Sequence, residues 1–330
     1  MSNEKAPLLQ VENLKMYFPA QSTLFGKPRS YVKAVDGISF SIDEGKTFGL
    51  VGESGCGKTT AGKCILRIYR PTEGRILYRG TDIARMTDRE LKAFRREIQL
   101  IFQDPYGSLD PRQSIGDIVR EAIAADGKHR QKGEMQDRVH ELLTLVDLDP
   151  VMEDRYPHEL SGGQRQRLGI ARALACDPKL IVCDEPVSAL DVSIQAQIIN
   201  LFEERQEKLG LTYLFIAHDL AVVRHISDVT AVMYLGHIVE TMASGELYRN
   251  PLHPYTKALM SAVPITDYDV EKQRSRIVLE GEVPSPIHAP SGCSFHPRCP
   301  YATDICRSEM PKLSDTGSGH FVACHHCGEV

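Results

Sequence analysis

Three groups of residues have types and spacings that suit chemistry. The first is the run Gly52, Glu53, Ser54, Gly55, Cys56, Gly57, Lys58, Thr59, Thr60. Glycines at this spacing allow a loop whose backbone N–H groups wrap phosphate oxygens, while Lys58 reaches the outer phosphates and Thr59 offers a hydroxyl to Mg2+. The second is the carboxylate pair Asp184 and Glu185, which follows the apolar run Leu180 to Cys183. Asp184 suits a Mg2+ shell, and Glu185 suits a base that polarises a water for in-line attack on a γ-phosphate. Alone, such a pair is as readily a solvated strand end; beside a phosphate loop that plainer reading becomes minor. The third group is a set of thiols: of nine cysteines, five (Cys293, Cys299, Cys306, Cys324, Cys327) lie in the last 38 residues.

The elements around these groups follow from pattern. The run Phe48 to Val51 enters the phosphate loop, and TTAGKCILRIY after it can form a helix. Phe48 to Val51, Leu180 to Cys183 and Leu214 to Ala217 are short apolar runs of the kind that fill buried strands. Alternating with helical patterns, they predict an α/β fold with a mainly parallel sheet whose ligands sit beyond the carboxyl ends of the strands. Val139, Leu142, Leu143 and Val146 follow the 0, 3, 4, 7 spacing of one helical face, and roughly residues 106–170 read as a mostly helical insertion. Nine of the 19 prolines fall at or beyond Pro251. That shift marks a boundary near residues 250–265, with a main domain over 1–260 and a small Cys-rich C-terminal extension over 261–330.

Composition narrows the classes of function. A formal charge of −5 over 330 residues argues against a nucleic-acid backbone as the main partner. The longest mostly apolar stretch without Asp, Glu, Lys or Arg, Val229 to Val239, is well short of the roughly 20 residues of a membrane-crossing helix. MSNEKAPLLQ lacks the apolar core of a signal peptide, so a cytosolic chain is expected, where thiols stay reduced. A dense cysteine cluster there is better read as metal-binding than as disulfides. Zinc prefers closely spaced pairs, and only Cys324 and Cys327 are close; the longer spacings of Cys293, Cys299, Cys306 and Cys324 suit an iron–sulfur cluster better, with zinc as the alternative. Cys64, Cys176 and Cys183 sit in apolar patterns and read as small core residues. Cys56, within the phosphate loop, is expected to be shielded from alkylation by bound ATP.

With Leu160, Ser161, Gly162, Gly163, Gln164, Arg165 and Gln166 in place, the chain resembles the nucleotide-binding subunits of ABC transporters. Further elements match in order: Gln103 in IFQDP resembles the Q-loop, Ser188 to Asp191 the D-loop, and His218 in IAHD the switch histidine. Phe18 in NLKMYF matches the aromatic that stacks on adenine, with Tyr17 as the alternative, because an insert of roughly residues 19–31 blurs the alignment. The strings QDPYGSLDPR, RYPHELSGGQRQRLGIARAL, NPLHPYTKAL and GEVPSPIHAPSGCSFHPRCP narrow the resemblance to the oligopeptide and dipeptide branch of bacterial ABC importers, most like the F-type of its ATPase subunits.

The resemblance implies a P-loop NTPase (RecA-like) core with a parallel sheet and an ABC-specific helical subdomain. It implies ATP and Mg2+ as ligands, with Thr59, Gln103 and Asp184 at the metal and Glu185 and His218 catalytic. Ser161, Gly162, Gly163 and Gln164 would reach the ATP held by a paired subunit, with Asp191 in the D-loop. The implied partners are a paralogous ATPase forming a heterodimer, two transmembrane permeases and a periplasmic peptide-binding protein, with the chain peripheral on the cytoplasmic face of the inner membrane. Related tails are thought to hold a four-iron four-sulfur cluster. Two other classes fit less well. A soluble ABC ATPase acting on nucleic acid or ribosomes usually carries two cassettes or basic insertions, whereas this chain has one phosphate loop and a net negative charge. A metal-dependent sensor or scaffold would have little use for both Glu185 and His218.

Overall fold

The computed structural model describes residues 6–22, 28–127, 131–263, 276–317 and 319–329. Parts of the expected insert at 19–31, of the helical stretch at 106–170 and of the expected extension (264–275) lie outside the described residues. The chain divides into two compact units, one drawn from Met1–Ile42, Thr47–Arg85 and Ala217–Val330, the other from Asp43–Lys46 and Met86–Ile216.

The first unit opens with β1 (Leu9–Ser22), β2 (Pro28–Ile42), β3 (Thr47–Val51), α1 (Lys58–Ile65), β4 (Glu73–Tyr78) and β5 (Thr81–Asp82). Here β2, β1, β4 and β5 form an antiparallel sheet in that order, with Leu9, Val11 and Leu14 of β1 buried. Every residue of β3 is buried, which is why its sequence is apolar from Phe48 to Val51 and does not alternate.

The second unit contains α2 (Asp88–Glu97), β6 (Ile98–Ile101), α3 (Ile115–Ala125), α4 (Lys132–Leu145), α5 (Gly162–Leu174), β7 (Leu180–Asp184), α6 (Val192–Leu209) and β8 (Thr212–Ala217). Strands β6, β7 and β8 pair in parallel, and β7 and β8 are buried at every position. The helices start at side chains that accept from their first free N–H groups: Thr87 with Glu90 in a capping box for α2, Ser114 for α3 and Asp191 for α6. Gly210, in the left-handed region, ends α6. Residues 106–170 contain α3, α4, two short 3-10 turns and most of α5, and no strand among the described residues. Val139, Leu142, Leu143 and Val146 are all fully buried, so the 0, 3, 4, 7 face is the one that packs.

The first unit resumes with α7 (Leu220–Ile226), β9 (Val229–Tyr234), β10 (His237–Ala243), α8 (Ser244–Leu247), α9 (Pro254–Ser261), α10 (Asp304–Ser308), β11 (Ser314–Asp315) and β12 (Phe321–Val322). Strand β3 is parallel to β9, but β10 runs antiparallel to β9, β12 antiparallel to β10, and β11 antiparallel to β12. The expected parallel pairing thus holds for β3 with β9 and for β6, β7 and β8, while β10, β12 and β11 add antiparallel pairs and make the sheet mixed. The physical reason for the antiparallel part lies in the apolar run Val229 to Val239, which folds back at Leu235 and Gly236 so that residues 230–234 of β9 and Ile238, Val239 and Glu240 of β10 are buried. Among the described residues no helix is long and apolar enough to cross a membrane.

Candidate nucleotide-binding site

Strand β3 ends at Val51 and releases the chain into the loop that begins at Gly52. Two glycines are dictated by close backbone approach. A Cβ on Gly52 would collide with the carbonyl oxygen of Met233, and one on Gly57, at φ 108°, with the carbonyl oxygen of Ala34. Gly57 is also the N-cap of α1, and no side chain accepts from that helix's first N–H groups. The loop thus presents backbone donors at a positive helix end. Lys58, buried, folds back so that Nζ donates to the carbonyls of Gly52 at 2.8 Å and Glu53 at 3.1 Å. Thr59 and Thr60 follow in the first turn of α1.

Cys56 is only 5% exposed, and burial pushes its thiol above the ordinary value. The loop itself thus already limits access to this thiol, and the expected shielding by bound ATP would add to that. Cys64 and Cys183 are buried core residues, and Cys176 is half-buried with Sγ 3.7 Å from the carbonyl of Ala122.

Elsewhere in the first unit, Phe18 and Tyr17 are both half-buried neighbours on β1. The Phe18 ring packs edge-on against Tyr69 at 5.2 Å between centroids, whereas the Tyr17 hydroxyl donates to Asp36 and its ring lies under Lys33. His218 is exposed, just ahead of α7, whose first turn is capped by Asp219.

The second unit brings together a different set. Asp184 is buried at the end of β7. Glu185 follows with φ 48°, a left-handed backbone that costs a non-glycine residue on the order of 1–3 kcal/mol and tends to persist at functional sites. Its N–H donates to the carbonyl of Ile216 at 2.9 Å, and its Oε2 accepts from Gln103 Nε2 at 2.9 Å. The segment around Gln103 is held against α5 by cations over rings: Arg172 over Phe102 at 5.4 Å and Arg165 over Tyr106 at 5.3 Å. At the start of α5, Ser161 Oγ accepts from Gln164 N at 3.2 Å and Gln164 Oε1 from Ser161 N at 2.9 Å. A Cβ on Gly163 would press to 2.7 Å from Ile194, so the starts of α5 and α6 approach closely only because Gly163 is bare. Asp191 Oδ1 accepts from Ile194 N at 3.0 Å, and its carboxyl is held below the ordinary aspartate value by Ser193 and that N–H.

In the C-terminal part, Cys293, Cys299, Cys306 and Cys324 line one small cavity together with His253, Phe295 and Tyr301, and Cys327 is not among its lining residues. Burial pushes up the thiols of Cys293, Cys299 and Cys324, the last to about 11. Among the described residues no group of three or more His, Cys, Asp or Glu is arranged to hold a metal ion. The iron–sulfur or zinc arrangement expected here is therefore met only to the extent that four thiols line one space.

Residues 35–188 match the family described as ABC transporter, and residues 239–306 the family described as oligopeptide/dipeptide transporter, C-terminal region. Over 319 residues the chain is 54% identical to the oligopeptide transport ATP-binding protein AppF of Bacillus subtilis (strain 168), covering 96% of this chain and 97% of that protein. The chain belongs to the ATP-binding proteins of the ABC-type oligopeptide and dipeptide transporters. Other members of this family are OppF of Salmonella typhimurium, an oligopeptide transport ATP-binding protein 50% identical over 97% of this chain and 96% of its own, and DppF of Haemophilus influenzae, a dipeptide transport ATP-binding protein 48% identical over 98% of each. Among solved structures, the dimeric post-hydrolysis state of the ATP-binding cassette MJ0796 bound to ADP and Pi aligns with a TM-score of 0.64 at 26% identity, covering 72% of this chain and 98% of that one. The fold is accordingly that of an ABC ATPase cassette, α/β with a mixed sheet.

Sequence reasoning missed one contact at the phosphate loop of this family member. Glu53 is paired with Arg298 of the C-terminal part, Nη1 to Oε2 at 2.8 Å and Nη2 to Oε1 at 3.2 Å, and the Tyr255 hydroxyl accepts from Glu53 N at 2.9 Å. A signal was present in Glu53 itself, since an acid in a phosphate-collecting loop calls for a cation to offset it.

Proposed function

We propose that this protein binds and hydrolyses ATP to drive import of oligopeptides or dipeptides through a membrane permease. The observation that carries the reading is the phosphate loop: uncapped N–H groups at the start of α1, two glycines forced by backbone approach, and Lys58 folded over the loop. The peptide cargo rests on the oligopeptide and dipeptide transport roles of the relatives at 48–54% identity.

Lys58 and the loop N–H groups bind the β- and γ-phosphates, and Phe18 supports the adenine. Glu185 accepts the proton of the attacking water as the oxygen forms its bond to the γ-phosphorus and the bond to the ADP oxygen breaks. Gln103, already hydrogen-bonded to Glu185, orients that carboxylate, and His218 holds the γ-phosphate and the water. The oxygen donors of Thr59, Gln103 and Asp184 suit Mg2+, which neutralises phosphate charge when bound. Ser161, Gly162, Gly163 and Gln164 serve the ATP of a paired, paralogous ATPase, with Asp191 beside them in the D-loop. Exposed Phe102, Tyr106, Val151 and Tyr156 in the second unit support a surface for the coupling helices of two permeases, fed by a periplasmic peptide-binding protein. On this reading the chain works on the cytoplasmic face of the inner membrane.

In the tail, Cys293, Cys299, Cys306 and Cys324 hold a four-iron four-sulfur cluster in preference to zinc. Four thiols lining one cavity are what supports this reading, since such a cluster takes one thiolate per iron. The cluster would staple an extension with little core of its own. Iron and acid-labile sulfide in anaerobically purified protein are expected; one zinc and no iron would remove this part.

The hydrolytic step is tested by Glu185→Gln in the assembled importer. ATP binding should persist, the closed dimer accumulate, and turnover fall by roughly 10²–10⁴-fold, the usual scale of a general base. Turnover at the normal rate would mean that another group activates the water.

A further inference from the structure

Glu53 sits one residue into a loop built to collect phosphate oxygens, so its carboxylate repels the charge the loop must bind. Arg298 meets it with a fork of two hydrogen bonds from the end of the 3-10 turn His296–Arg298, 245 residues further along the chain. The arginine side chain is 7% exposed, and its guanidinium lies 6.0 Å from the ring centroid of Tyr234. Burial works against its charge, yet the bonds to Glu53 prevail and hold its pKa above the ordinary value. The Glu53 backbone is fixed as well: its N–H donates to Tyr255, and its carbonyl accepts from Lys58 Nζ at 3.1 Å. Tyr234, Tyr255 and Phe295 pack ring against ring beside this pair, at 4.7–5.4 Å between centroids. One residue is thereby clamped by its side chain to the tail, by its N–H to α9, and by its carbonyl to the lysine that reaches phosphate.

We infer that Arg298 is a positioning residue of the phosphate loop: it neutralises Glu53 and, through the Glu53 peptide, sets Lys58 and the loop backbone for a triphosphate. The inference rests on the nucleotide-site reading above. A planar, bidentate guanidinium fixes both charge and direction, which a lysine at this place would not.

The test is titration of the full-length protein with a fluorescent ATP analogue. Arg298→Gln should raise Kd by about tenfold at low salt, and the gap to the native chain should narrow between about 0.05 M and about 0.5 M KCl as unscreened Glu53 charge is damped. Adding Glu53→Gln to Arg298→Gln should return most of the lost affinity, because the repelling charge is gone. A merely structural arginine would give neither the salt dependence nor the recovery, and either failure overturns the inference, as does an unchanged Kd for Arg298→Gln. Should Arg298→Gln prove too unstable to titrate, Arg298→Lys, which keeps the charge without the fork, should weaken binding by roughly threefold at an unchanged melting temperature; unchanged affinity there overturns the inference equally. Lys58→Ala run alongside separates the two readings. If it binds the analogue as tightly as the native chain, the phosphate-site assignment itself fails, whatever Arg298 does.

Discussion

The starts of α1 and α5 are both glycine-rich helix N-termini, yet they are finished differently. At α1 the N-cap is Gly57 and no side chain accepts from the first turn; at α5 Ser161 and Gln164 satisfy each other's N–H groups in a capping box. The first end carries no side-chain cap that a ligand would have to displace. The second is complete by itself, and Ser161 must share or release its hydroxyl to bind a phosphate. The difference suits a site that holds nucleotide within one chain against one that engages only when a partner brings the anion.

Three measurements on helix starts bear on that contrast. The largest effect is expected from Gly57→Ala. The methyl group meets the Ala34 carbonyl at a left-handed backbone, so the loop cannot close and ATP affinity should drop by more than about 100-fold, which is a little under 3 kcal/mol. Retained binding would show that the open helix start is not what holds phosphate.

A third start, that of α9, predicts a smaller effect. His253 Nδ1 accepts from Tyr255 N at 3.1 Å, and burial pulls its pKa down from 6.5 to about 3, so the ring caps only while neutral. The unfolded chain takes up the proton first, so stability present above pH 6.5 is lost as pH falls towards 3. At pH 5 the loss should be about 2 kcal/mol, read as a lowered urea midpoint. His253→Asn keeps a capping oxygen and should flatten that part of the pH profile; an unaltered profile would remove His253 as its source.

The smallest effect belongs to Ser161→Ala, which should cost about 1 kcal/mol in chemical denaturation, with Ser161→Gly recovering most of it. If alanine costs nothing, the capping box is not holding α5 and the proposed contrast loses one side.

Legibility in the sequence followed the range of the interaction. The buried run of β3, the stripe Val139, Leu142, Leu143 and Val146, and the phosphate loop are each local, and each stands in the sequence as a pattern within a dozen residues. The hairpin of β9 and β10 was hidden because its turn falls inside an otherwise apolar run, marked only by Gly236 and His237. Arg298 and Glu53 left no pattern at all, since two residues 245 positions apart share no period. The change of composition near residues 250–265 is visible, and it reads as a separate tail. Yet β12 lies on β10 in the same sheet, and the buried His320 meets the buried Glu240 at 2.7 Å.

That pairing has a consequence for solubility. In the present fold β12 covers the outer edge of β10, and β11 is a strand of two residues, too short to invite another. A chain ending before residue 314 would present β10 as a bare edge, with the Glu240 carboxylate robbed of its imidazole partner. Open N–H and C=O groups along an apolar strand recruit strands from other copies. Truncation before residue 314 is therefore expected to show as turbidity in solution.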